Sequence, residues 1–529
     1  MSKKLLALVT ALVLVLTTVP AFALELVSAG DTYPIDTDIT VSFYAQDWLK
    51  PHDMYADWTE SPFHLTLAEE TGVTVEWLFP TAGADATAYT NTLLSDPATM
   101  PNIMTAYMMD DAQDYIDRGI IWDLTDYIEE YAPAYWAFLQ ANPTYDKAMK
   151  TDAGQYYTFG FFREDGGWND TFIGPVIRQD WLDEQGLDTP TTIDELENVI
   201  RVFNEAYGAK FTFTMSRFGS TGISGAFGAY GASNMQVYID NGEVKLAQYQ
   251  SEWRDYMTWL NKLWEEGLLD QDSLSETDTT IKTKVHEGKV GVSLTAMSQL
   301  NAWNNEEIAA GREACWVGLQ YPTGNDGTLT MVFGGPGISN VSTVISKQST
   351  DEETLKVCLQ FLDYAYTEEG NYFWNFGVQG TTWDFNADGE VEYLPEVVAD
   401  NVGVNDYTVR YGGTTWAGPC IQATKLLYLK NSQWAIDAND TWFYKNEDVT
   451  SAWKWPIGPT FTVTETTELS DIKSAISTYI TESFANFLSG SLDITDDAVW
   501  DDYIANLDSM NVERMLELYQ ACYDRYLAR

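Results

Sequence analysis

Apolar and polar residues alternate with a period of two over 39–44 (ITVSFY), and the alternation stops at Ala45-Gln46-Asp47-Trp48. Such a pattern is a half-buried strand emptying into a loop. Residues 63–70 then take the helical period, with Gly72 as the stop, and 73–78 form a second strand. A short helix over 89–95 and a strand over 102–107, introduced by Pro101, complete a strand-helix-strand-helix-strand rhythm. That rhythm predicts a mostly parallel sheet covered by helices. Helical patterns follow at 112–118, 124–131 and 135–142, and 155–162 (QYYTFGFF) reads as a strand.

A second unit of the same kind begins at Ile177, where IRQDWLDEQGL is a short strand turning into a helix that Gly186 stops. The next helix opens with Pro190 and with Thr192 as cap, three residues before Glu195, which is the spacing of a capping box. A long amphipathic helix over 253–266 closes at Gly267. Strands are expected at 290–294, 315–319 and 341–346, a periodic helix at 351–367, and almost continuous helix from Leu469 onward. No Pro/Ser-rich linker separates the two units, so they read as lobes that exchange segments.

The first residues are a separate matter. Lys3 and Lys4 precede an apolar run over 5–16, and Ala21-Phe22-Ala23 is a small-x-small processing pattern. Cleavage after Ala23 is expected, because the run is too short to span a bilayer comfortably. A chain of 529 residues exceeds what one core normally serves, which again argues for two lobes. Seventy-nine acidic residues against 29 Lys and Arg give a net charge of -50. A surface of that sign repels a phosphate backbone, so nucleic acid is excluded as a partner, and anionic membranes are disfavoured. Disorder is excluded too, since hydrophobic residues make up 45% of the chain and aromatics 14%.

Catalytic and metal chemistry find little support. Three histidines, His52, His64 and His286, are too scattered for a zinc site. Four distant cysteines make no disulfide scaffold, and Cys358 and Cys522 sit on helical patterns where a buried free thiol is expected. The glycine-rich stretches 219–231 and 334–337 lack the lysine of a phosphate loop and read as tight or flexible connections. Asp165, Asp170 and Asp180 could supply a glycosidase pair, but among 79 carboxylates such a pair carries no weight. No cofactor is implied. What stands out is aromatic residues at strand ends and in loops: Trp48, Tyr107, Trp168, Phe218, Trp303, Trp383, Trp416 and Trp434. Their flat faces match the C–H face of a pyranose, and Gln46, Asp47, Asn169, Asp170, Arg217 and Asn304 could meet its hydroxyls. Core packing or a hinge wedge is the alternative for any one of them.

Several segments, in order along the chain, carry a resemblance: LLSDPATMPNIM (93–104), DRGIIWDLTDYI (117–128), DAGQYYTFGF (152–161), IRQDWLDEQGLDTPTTIDELENVIRVF (177–203), LNKLWEEGLLD (260–270), GKVGVSL (288–294), 344–380 and the tail 501–526. With them the chain resembles the extracytoplasmic solute-binding proteins of carbohydrate ABC importers, of the large LplA-like Gram-positive type. The resemblance implies a type II periplasmic-binding-protein fold: two α/β lobes, an interlobe cleft and additional C-terminal helices. It implies a signal peptide at 1–23 and a first lobe at 24–155 with a return at 336–375. A second lobe at 156–335 and a further return with C-terminal helices at 376–529 complete the division. QYYTFGF would be the first interlobe crossing, and 331–338 a return.

Carried over, Gln46, Asp47, Trp48 and Tyr107 line the cleft from one lobe, Trp168 and Arg217 from the other, and Trp416 belongs to the C-terminal half; Asn169, Phe218, Trp303 and Trp383 stand beside them as ligand-binding candidates on the residue pattern alone. The implied partners are an oligosaccharide and the permease subunits of the importer, and the implied state is a monomer. Unlike tethered members, the signal is followed by no lipobox cysteine, since the first cysteine is Cys315. The aromatic richness and the shortage of cations favour a neutral oligosaccharide, although Arg217 or Arg410 could meet an acidic one. Another solute on the same fold, or a secreted polysaccharide-active enzyme, are the competing readings.

Overall fold

The computed structural model describes residues 26–45, 61–79, 86–108, 111–219, 223–399, 411–413, 418–444 and 453–529. The expected signal segment lies outside them, as do Gln46, Asp47, Trp48, Arg410 and Trp416. Three parallel strands, β1 (Thr40–Ala45), β2 (Thr74–Leu78) and β3 (Ile103–Ala106), pair with β1 in the centre. The helix Pro62–Thr71 between β1 and β2 is capped by Ser61 and ends on Gly72 at φ 73°, a backbone region open to glycine. The helix expected at 124–131 is reduced to Ile128–Tyr131, and the strand expected from residue 155 is β4 (Phe159–Arg163).

The second lobe follows with β5 (Ile173–Arg178) and β6 (Lys210–Phe213), then a hairpin of β7 (Val237–Asp240) and β8 (Glu243–Leu246). β9 (Val290–Ala296) and β10 (Trp316–Gly318) complete its sheet in the order β10-β5-β9-β6. The Ile193–Tyr207 helix begins with the full capping box, Thr192 and Glu195 each bonding the other's backbone N–H. The chain then returns to the first sheet as β11 (Ile338–Ile345), adds the hairpin β12 (Trp383–Phe385) and β13 (Val391–Tyr393), and closes that sheet with β14 (Ile421–Gln422). The first sheet therefore runs β14-β4-β11-β3-β1-β2. Residues 159–163 belong to it through β11 and β14, so the first interlobe crossing starts at Glu164, later than QYYTFGF.

Each lobe has its own apolar core. Phe43, Ile103, Tyr135, Phe159, Val344 and Leu359 are among the fully buried residues of the first. Val176, Phe211, Trp253, Leu294, Trp316 and Trp442 belong to the second. The C-terminal helices Val463–Leu488, Asp497–Ser509 and Val512–Ala528 pack into the second core through Ile480, Phe487, Leu507 and Cys522. They also reach the first lobe. Arg525 bonds Asp152 at 2.8 Å and Glu465 at 2.6 and 2.7 Å, and Arg529 bonds Asp152 at 2.9 Å. All four cysteines are free and buried, as expected for Cys358 and Cys522. No helix of the described residues is long and apolar enough to cross a membrane.

Candidate functional site

Three connections join the lobes. Residues 164–172 run from the C-terminal end of β4 to the start of β5, and residues 319–337 run from the end of β10 to the start of β11. Gln422 leads into the helix Thr424–Lys430 and then into Gln433–Tyr444, which packs on β5 and β10. The registers Phe43↔Ile103, Ser342↔Ala106 and Ile338↔Phe162 put the ends of β1, β3 and β4 at the crossing side of the first sheet. Ile173↔Ala296 and Phe213↔Leu294 do the same for the ends of β6 and β9 in the second. These strand ends border one interlobe cleft, as expected.

Arg163 ties the crossings together. Its Nη1 donates to the Asn169 carbonyl at 2.8 Å and to Gln422 Oε1 at 2.9 Å, and its Nε lies 3.0 Å from Asp170 Oδ1. Its backbone N–H donates to the Gly337 carbonyl at 2.8 Å. Burial lowers its pKa, an effect that Asp170 and Asp165 oppose. The chains approach so closely here that side chains would collide: a Cβ on Gly335 would meet the Asp170 carboxylate, and one on Gly337 (φ 78°) the Gly166 backbone. The stretch 334–337 is thus a tight connection and no phosphate cradle.

The aromatic residues divide between cleft and core. Tyr107 follows β3 and is 54% exposed at the crossing side of the first lobe. Trp168 lies on the first crossing but is buried, its Nε1 donating to Asp440 Oδ1 at 2.7 Å and its ring stacked on Tyr428 at 5.1 Å. It has the contacts of a hinge wedge, with Tyr428, 46% exposed, on its outer side. Asn169 beside it is buried, and its Nδ2 donates to Thr424 Oγ1 at 3.1 Å. Arg217 follows β6 and pairs with Asp278 at 3.2 Å. Phe218 stacks on Phe213 at 3.8 Å inside the second core, and Trp303 is buried against Trp316. Trp383 is buried in a small cluster of the β12–β13 region, donating to the Gly377 carbonyl at 3.0 Å. Asn304 is consumed structurally by Cys315 and Trp316 backbone bonds. The structure thus draws Phe218, Trp303 and Trp383 into cores, away from the cleft.

Sequence reasoning passed over Arg163, Gln422, Lys430 and Lys454. A cation ending the apolar strand FGFFR was a visible signal for Arg163, and a lysine between two tryptophans (WKW) was one for Lys454. Asp270, Asp272 and Glu276 converge, but on the ammonium of Lys284, 2.7 and 2.9 Å from the two aspartates. That lysine supplies their counter-charge. A separate concavity of about 570 Å³ lies beyond β14, lined by Glu164, Asn371, Tyr372, Phe376, Ala423 and Lys425. It faces one flank of the crossing rather than the space between the strand ends.

Comparison with known proteins adds to this geometry. The family described as bacterial extracellular solute-binding protein matches residues 55–372. The fructooligosaccharide ABC transporter substrate-binding protein FusA of Streptococcus pneumoniae is 22% identical, over 96% of this chain and 94% of its own. The polygalacturonan/rhamnogalacturonan-binding protein YtcQ of Bacillus subtilis is 26% identical, over 51% of this chain and 53% of its own. In three dimensions the alginate-binding protein AlgQ2, solved without calcium ion, superposes with a TM-score of 0.76 at 21% identity, covering 93% of this chain and 99% of that one.

Proposed function

The chain belongs to the bacterial extracellular solute-binding protein family, and from that premise we propose that it captures an oligosaccharide outside the cytoplasm and presents it to the permease of an ABC importer. It is a binding protein and not an enzyme. The observation that carries the reading is the cleft itself, bordered by the facing strand ends of two lobes that three short connections join. Such a joint allows rigid-body closure, and contacts made to both lobes at once shift the balance toward the closed form. The sugar specificities of FusA, YtcQ and AlgQ2 support a carbohydrate as the solute.

In this reading Gln46, Asp47, Trp48 and Tyr107 approach the sugar from the first lobe, and Arg217 from the second. Trp416 contributes from the C-terminal half. Trp168 and Asn169 act by shaping the crossing beneath it. The protein works as a monomer outside the cytoplasm. Aromatic richness and scarce cations support a neutral oligosaccharide. Two lysines at the crossings favour an acidic one as the second reading.

Calorimetry against fructo-, xylo-, manno- and gluco-oligosaccharides and against acidic series tests the function. Saturable binding with no product release is expected. Turnover of any of these glycans, or failure to bind all of them, would overturn it.

A further inference from the structure

Carboxylates outnumber cations in this chain, and most cations have been met by one. Lys150 pairs with Asp146, Lys245 with Asp240, Lys262 with Glu197 and Lys425 with Glu390. At the cleft, Arg163 is spent on Asp170 and Arg217 on Asp278. Lys430 and Lys454 are different. Both are half-buried, and no carboxylate of the described residues lies within ion-pairing distance of either. They are also the two described lysines whose pKa burial pushes down, Lys430 to about 8.

Both stand where the lobes meet. The Lys454 ammonium lies 5.3 Å from the centroid of Phe333 and 5.7 Å from that of Trp453. Phe333 is on the return crossing and packs edge-on against Phe172, which ends the first crossing. The backbone of Lys454 bridges Tyr238 in the β7–β8 hairpin of the second lobe. Lys454 also feels the charge of Asp170, but Arg163 already holds that carboxylate at 3.0 Å. Lys430 ends the helix that leaves Gln422. The next two residues, Asn431 and Ser432, bond Asn301 at 3.2 and 3.1 Å, in the helix that follows β9.

Removing an ammonium from water without a counter-charge costs several kcal/mol. Two such lysines stand at the junction of the lobes with no counter-charge among the described residues, in a chain with a surplus of 50 negative charges. We propose that Lys454 and Lys430 receive the negative charge of the ligand, so that the captured saccharide carries an acidic sugar unit. This rests on the oligosaccharide reading above and takes its acidic alternative over the neutral one. A lysine is a compact point charge that accepts a uronate carboxylate or a sulfate ester alike, with no fork geometry to choose between them. The half-buried ring of Phe333 beside Lys454 offers apolar surface to the C–H face of the same sugar, while Trp453 is buried behind it.

Calorimetry with short oligogalacturonides, sulfated galacto-oligosaccharides and neutral fructo- and gluco-oligosaccharides, at low and moderate salt, tests the assignment on the full chain and on Lys454→Met and Lys430→Met. Native protein should prefer one acidic series, and which series binds identifies the group. Lys454→Met should weaken that binding by roughly 30-fold or more, as for a desolvated charge pair, while leaving the melting temperature equal or higher, because it removes an unpaired buried charge. Lys430→Met provides the same test should Lys454→Met fold poorly. Preference for a neutral series, or acidic binding that both variants leave unchanged, would overturn the proposal while the carbohydrate reading stands. Failure to bind any saccharide would overturn both.

Discussion

The interiors of the two lobes and the belt between them are held by different forces. Inside a lobe the contacts are apolar and close: Trp442 lies over Gly174, where even a Cβ would collide with its ring, and Phe213 stacks on Phe218 at 3.8 Å. In the belt the buried groups are Arg163, Asn169 and Gln422, with the half-buried Asp170, joined by polar contacts near 3 Å. Apolar packing is non-directional and resists rearrangement as a close-packed whole. A few directional bonds at a narrow joint can instead pivot. The contrast accounts for two rigid bodies able to approach one another.

The contrast can be broken most forcefully from the core side. Trp442→Ala should cost about 3–5 kcal/mol, because it empties a fully buried site and removes the bond that Trp442 Nε1 donates to the Pro175 carbonyl at 3.0 Å. Chemical denaturation measures it, and a loss near zero would mean that this interior is not close-packed. In the belt, Arg163→Met should cost about 3 kcal/mol, since it leaves the half-buried Asp170 without its cation and the Asn169 carbonyl and Gln422 Oε1 without their donor. Adding Asp170→Asn should return part of that loss. Equal losses for the single and double variants would deny that the pair is what ties the crossings.

A smaller effect concerns Asp363, a carboxyl buried in the first lobe that accepts the Tyr135 N–H at 2.7 Å. Burial raises its pKa to about 7. The folded state therefore binds the proton more tightly than the unfolded one. The stability it contributes is complete below about pH 4 and is lost as pH rises through 7. Asp363→Asn should raise the melting temperature at pH 7.5 by about 2–4 °C and flatten its fall between pH 4 and 7. An unchanged pH profile would assign that fall elsewhere. Tyr107→Ala should change stability least, by about 0.5 kcal/mol or less, while weakening saccharide binding by roughly 1–3 kcal/mol. The reverse pattern would make Tyr107 a packing residue.

The two regions also differ in how far the sequence reveals them. Lobe elements follow local rules, so the Thr192 cap, the Gly72 and Gly186 stops and the parallel rhythm of the first sheet emerge as read. The start of β5 does not. Gly174-Pro175 looks like a loop locally, and it is strand because Trp442, far along the chain, covers Gly174. The same distance effect governs the site. An aromatic at a strand end has one sequence pattern whether it faces core or cleft, and helices from residue 424 onward decide the matter by covering Trp168 with Tyr428. Tyr107 stays 54% exposed. Lys430 and Lys454 escape a reading by motif because what marks them is the lack of a nearby carboxylate among the described residues, which only the folded arrangement displays.

Small-angle scattering of the full chain, alone and saturated with the tightest-binding oligosaccharide of the calorimetric panel, tests most directly whether the polar belt lets the two lobes close over a sugar. The account predicts a smaller radius of gyration at saturation, with the protein remaining a monomer. A radius that stays the same while the site is filled would contradict it.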